Sequence, residues 1–179
     1  RLVLFHYISS VIVPRIEAKL DRSIRVNAQK GIGATSIKGY LIGSLAGGTF
    51  SGMFLDLAYL FRMVALRRMA TAYVTGVLVT DDPFLPKVST QNTRAEFSAN
   101  AYAALLELNH FMRTRTFREE YSELLSTHEL PEKAHRPFDV TYLLGLHNTE
   151  GQALESFESL ADMMAATVSL EIASPMQDS

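Results

Sequence analysis

At 179 residues, 47% hydrophobic and 20% charged, the chain can bury one sizeable core and is not a disordered segment. Its net charge of −2 is interspersed, without a basic block or an acidic tail, which excludes the electrostatic footprint of a nucleic-acid binder. There is no cysteine, so disulfides, thiolate metal sites and cysteine nucleophiles are excluded and a reducing, cytoplasmic setting is expected.

Leu4, Ile8, Val11, Ile12, Ile16 and Leu20 recur at helical spacing and predict a helix with one apolar face, which Pro14 should kink or divide. Arg15, Glu17 and Lys19 stand where a secretory leader would need its small-residue cleavage site. The chain starts at Arg1 and is expected to be a piece of something longer. Gln29 to Ser36 is loop chemistry, and its Gly31-Ile32-Gly33 precedes a strand rather than following one. Tyr40 to Leu45 is a short continuous apolar run, predicting a strand buried on both faces.

A glycine turn follows, then an apolar helix from Met53 to Met69 with Arg67 and Arg68 at its negative end. Asp56 and Arg62 interrupt its apolar run, which is too short to span a bilayer. Tyr73 to Thr80 reads as a second buried strand, ended by Asp81-Asp82-Pro83. Lys87 to Asn92 is a loop, and Thr93 with Glu96 offers a capping box for a helix running to Met112. Arg113 to Pro137 is charged and irregular, with a helical turn around Tyr121 to Leu125. Phe138 to Leu146 is the third predicted strand. Glu155 to Ile172 closes with a helix carrying Phe157, Leu160, Met164, Val168 and Ile172 on one face.

Alternating helices and strands imply right-handed crossovers and an α/β fold: a mostly parallel sheet between helical layers, Rossmann-like in build. In such sheets ligands bind at the carboxyl ends of the strands, here the turns 46–52, 81–93 and 147–152. Turn 46–52, Ala46-Gly47-Gly48-Thr49-Phe50-Ser51-Gly52, leaves a strand and enters a helix. Its N–H groups would be the unpaired donors of a helix start, its glycines allow close approach, and Thr49 and Ser51 add hydroxyls, which suits a phosphate. A tight strand-to-helix connection that binds nothing is the competing reading. A Walker loop needs a lysine that the turn lacks. A nucleophile elbow needs glycines flanking Ser51, where Thr49 and Met53 stand, and His110, His128, His135 and His147 show no pattern of partners.

Ser44 to Met53 resembles the glycine-rich signature of tubulins and of the bacterial division protein FtsZ, and the chain is most similar to the bacterial tubulin-like family. Ala46 to Leu60, Asn100 to Leu108, Pro137 to Leu144 and Leu170 to Pro175 carry the similarity in order along the chain. The resemblance implies a parallel-sheet domain holding GTP across the strand ends, and it admits Mg2+ beside the nucleotide. It places Ala46, Gly47, Gly48, Thr49, Phe50, Ser51 and Gly52 against the phosphates. It sets Asn148 where the tubulin loop meets the nucleoside, and Asp162 where the central helix reads the guanine edge. Asn148 also reads as capping its turn, Asp162 as a solvated helix position, and Glu96 as a helix cap before it is a ribose neighbour. The family also implies head-to-tail assembly into filaments, with hydrolysis completed by an acidic loop of the next subunit. That loop would follow Ser179 and a further phosphate loop would precede Arg1, making residues 1–179 one partial domain with little GTPase activity of its own. Phe50 departs from the family glycine. If that position needs positive φ, its side chain costs about 1–2 kcal/mol, and the ring could fill phosphate space, leaving a non-catalytic assembly module.

Overall fold

The computed structural model describes residues 7–30, 36–68, 71–114, 136–148 and 150–173, the side chains of residues 8 and 9 excepted. A π-helical turn at Ile8–Ile12 leads into α1 (Val13–Gln29), followed by β1 (Ser36–Ser44), the single turn α2 (Gly48–Ser51) and α3 (Phe54–Leu66). Then come β2 (Thr71–Val79), a 3₁₀ turn at Leu85–Lys87, α4 (Gln91–Arg113), β3 (Val140–Leu144) and α5 (Phe157–Ala173). The strands form a parallel sheet in the order β1-β2-β3, flanked by helices, so the fold is α/β and Rossmann-like.

Several local expectations are corrected. Pro14 is not among them: it marks a division of the first helix, into the π-helical stretch Ile8–Ile12 and α1. It lies in the first turn of α1, directly after the π-helical turn, where the chain can do without its missing N–H. The helix then runs on to Gln29. β1 starts at Ser36 and lies at an edge of the sheet among the described residues, with Ile42 45% exposed. The strand buried along its length is the central one, β2, from Val74 to Val79. A continuous apolar run reports burial but not which strand has neighbours on both sides. The α4 cap is Thr90 rather than Thr93: the Thr93 N–H donates to Thr90 Oγ1 at 3.3 Å, and Glu96 is exposed. β3 is shorter than expected, running from Val140 to Leu144, and past its end the Leu146 N–H turns to the Asp82 carboxylate. On α5 only Leu160 is fully buried, and Ile172 is 65% exposed. Leu4, the turn at 121–125, His128 and His135 lie outside the described residues.

The chain divides into two compact units. One comprises Arg1–Leu41, Gly52–Gly76 and Leu105–Thr141. Its core is α3, apolar nearly all round as its sequence requires, with Phe54, Ala58, Tyr59, Leu60 and Val64 at or below 1% exposure. Phe138 stacks on Phe54 at 6.1 Å and covers Gly76 of β2. The buried Arg62 is satisfied at all three nitrogens, donating to Pro137 O at 3.3 Å, Ala72 O at 2.8 Å and Asp139 Oδ2 at 2.6 Å. Asp139 also accepts the Val74 N–H, so this pair pins the chain entering β3 to β2. On the outside, Arg68 grips Glu17 and Asp21 of α1, which packs on α3.

The other unit comprises Ile42–Ser51, Val77–Ala104 and Tyr142–Ser179. Leu45, Ala46, Val77, Leu78, Val79, Ala101, Ala104 and Leu160 are its buried apolar residues. It contains the carboxyl ends of all three strands.

Candidate functional site

The glycine turn occupies the carboxyl end of β1. Leu45 and Ala46 are its buried anchors, the Leu45 N–H donating to Val79 O at 2.8 Å. The Ala46 N–H donates to Ser44 Oγ at 3.1 Å. Gly47 and Gly48 then open the turn of α2, and both are exposed, with no heavy atom within 4 Å of where a Cβ would stand. Thr49 is exposed beside them, and Gly52, also exposed, belongs to the other unit. The first N–H groups of a helical turn lack intrahelical acceptors, so this open, side-chain-free stretch is where an anion can approach the backbone.

Two residues of the turn face inward. The Ser51 hydroxyl donates to Gly47 O at 2.7 Å and is 9% exposed, so it braces the turn and does not stand as a nucleophile. Phe50 is a helical residue of α2, which removes the concern about positive φ. Its ring lies against Gly43 of β1, where an added Cβ would meet three ring carbons at 2.6 Å. The ring is therefore seated on the strand, and Gly43 is a glycine because any side chain would displace it.

The turns at the strand ends are linked by α4. Asn100 Nδ2 donates to Ala46 O at 3.0 Å, fixing the glycine turn from one side. Two residues earlier, the Ser98 hydroxyl donates to Asp81 after β2. Asp82 in turn accepts from the Thr80 hydroxyl and from the Leu146 N–H at 2.7 Å, with His147 Nδ1 at 3.3 Å. Burial is the largest single influence on the Asp82 carboxyl and pushes its pKa up, but the Thr80, Leu146 and His147 hydrogen bonds together hold it below the usual aspartate value. Gly145 leaves the room, since a Cβ there would stand 2.7 Å from Asp82 Oδ1 and 2.9 Å from Thr80 Oγ1. Beyond Asp82, Phe84 and Lys87 pack on the Phe157 ring at the start of α5, at 5.5 and 4.4 Å.

Asn148 sits at the head of the third turn and is exposed. Its Oδ1 accepts the N–H groups of Gln152 at 2.8 Å and Glu150 at 3.0 Å, and its Nδ2 donates to Gln152 Oε1. The turn closes with Gly151 at φ 79° and with the Leu154 N–H on Leu146 O at 2.7 Å. Asn148 thus caps its own turn and carries a second amide hydrogen besides the one given to Gln152. Asp162 is exposed on α5, roughly opposite the face that buries Leu160 given about 100° per residue. The hydrogen bonds do not join Asp162 to the glycine turn. Asp82, Gly145, Ser98 and Asn100 were not picked out from the sequence. The available signal was an acid after β2 and a glycine after β3, both at the same end of one parallel sheet.

A family model described as tubulin like matches residues 1–179. Comparison with curated proteins and with solved structures gives no match.

Proposed function

The chain belongs to the tubulin-like family, and on that premise we propose that it binds GTP at the strand ends and assembles head to tail into filaments. The observation that carries the reading is the exposed Gly47–Gly48 backbone at the end of β1, open on the side where a side chain would project. Phosphate oxygens accept from the N–H groups of Gly47, Gly48 and Thr49 and from the Thr49 hydroxyl. Phe50 and Ser51 shape the turn from behind, and Ala46 and Gly52 bound it. Asn148 donates its second amide hydrogen to the nucleoside. Asp162 accepts from the guanine ring N–H and amine, a pattern that adenine does not offer.

Among the described residues no group of three or more His, Asp or Glu side chains could hold a metal ion. A Mg2+ ion arriving with GTP would be held mainly by phosphate oxygens and water, its ordinary preference. Hydrolysis is completed in the assembled protein by an acidic loop of the neighbouring subunit, and a heterologous contact of this kind gives open filaments. No helix among the described residues is long and apolar enough to cross a membrane. The lack of cysteine suits a protein working in the reducing cytoplasm.

The test is titration of the full chain with GTP and with ATP, followed by sedimentation. Saturable GTP binding that exceeds ATP binding, and nucleotide-dependent pelleting, are the expected results. The Phe50→Gly variant separates this reading from an assembly module with a blocked site. With the ring seated on Gly43, GTP affinity should change by less than about threefold, under 1 kcal/mol. Binding that emerges only in the variant would establish the blocked site instead.

A further inference from the structure

We propose that Asp82 is a positioning residue for the nucleoside end of this site, holding the Asn148 turn in place through the base of its loop. This inference rests on the GTP reading above. Residues 146–148 and 150–154 close on one another. Leu154 N–H to Leu146 O, the His147 to Ala153 bridge and the Asn148 contacts tie them together. Leu146 is therefore the post on which Asn148 is carried, two residues away.

Asp82 grips that post from the neighbouring strand end. Its Oδ2 accepts the Leu146 N–H at 2.7 Å and lies 3.3 Å from His147 Nδ1. Its other oxygen is held by the Thr80 hydroxyl. Thr80 is itself fixed to β3, its N–H donating to Leu144 O at 2.9 Å. Gly145 lets the carboxylate enter, because a Cβ there would stand 2.7 and 3.0 Å from its two oxygens. A loop needing only a surface location would not require a carboxylate, a hydroxyl and a missing side chain at one point. Binding sites must hold their contacting groups within about half an ångström, and that work falls to supporting residues of this kind.

The role separates the two ends of the ligand. Phosphates meet the glycine turn, which Asp82 does not touch, whereas the nucleoside meets Asn148. In the Asp82→Ala variant of the full chain, GTP affinity should fall about tenfold while tripolyphosphate affinity changes less than about threefold. Asp82→Asn keeps an oxygen for the Leu146 N–H and should recover most of the GTP affinity. Gly145→Ala, which evicts the carboxylate without deleting it, should reproduce the selective loss, and carries the test if Asp82→Ala does not fold. Equal losses for GTP and tripolyphosphate, or no loss for either, would overturn the positioning role. Failure of the unaltered chain to bind either ligand would instead overturn the GTP reading itself.

Discussion

Replacing Gly43 by alanine tests the seat of Phe50, on which the open state of the glycine turn depends. The added Cβ would stand 2.6 Å from Cγ, Cδ2 and Cε2 of the Phe50 ring. Carbon atoms in contact sit at about 3.5–4.0 Å, so the overlap is about 1 Å over three atoms at once. A half-buried ring on a short helical turn can swing away but loses its packing, and overpacking of this kind costs about 1–3 kcal/mol. For a chain of this size that lowers Tm by about 2–12 °C. In the Phe50→Ala background the clash is gone, and alanine in a strand is no worse than glycine, so Gly43→Ala should cost nothing there. Thermal denaturation of the four proteins gives the coupling directly, expected at about 1–3 kcal/mol. Equal cost of Gly43→Ala in both backgrounds would refute the reasoning, because the ring would then not be resting on that glycine.

Arg62→Ala should lower stability by about 2–4 kcal/mol, since it strips donors from two carbonyls and from Asp139, whose side chain is 29% exposed and keeps the Val74 N–H. A loss under 1 kcal/mol in urea titration would show that water replaces the guanidinium freely. The Asp82 carboxyl has its pKa lowered in the folded chain, so its contribution is complete above the ordinary aspartate value of about 3.9. It is lost as pH falls through the lowered value. The stability gap between the unaltered chain and Asp82→Asn should therefore be constant near neutrality and close in acid, and a gap that persists at pH 2 would contradict the assignment.

The order of elements and the glycine turn were legible because they depend on local chemistry: apolar runs, glycine punctuation, charges at helix ends. The family followed from the same turn, taken with segments spaced along the chain. What was not legible depends on neighbours distant in sequence. Ile42 belongs to an apolar run, yet its exposure is set by which strand lies in the middle of the sheet. Thr90 and Thr93 are chemically equivalent caps, and only the geometry of entry chooses between them. Phe50 stands out as a departure from glycine, while its helical φ and the pairing with Gly43 cannot be read from the turn itself. Asp82 looked like a strand terminator, because its partner Leu146 is 64 residues away.

Whether the glycine turn is open to receive phosphate is tested most directly by Gly48→Glu. Nothing lies within 4 Å of the new Cβ, the site is exposed, and an acid in the first turn of a helix is favourable for the fold. Tm should be unchanged or slightly raised. The same carboxylate would repel phosphate and block its approach to the backbone, so GTP affinity, measured by polarisation of a fluorescent GTP analogue, should fall at least about tenfold. A variant that keeps both its Tm and its full GTP affinity would show that the nucleotide does not sit on this turn.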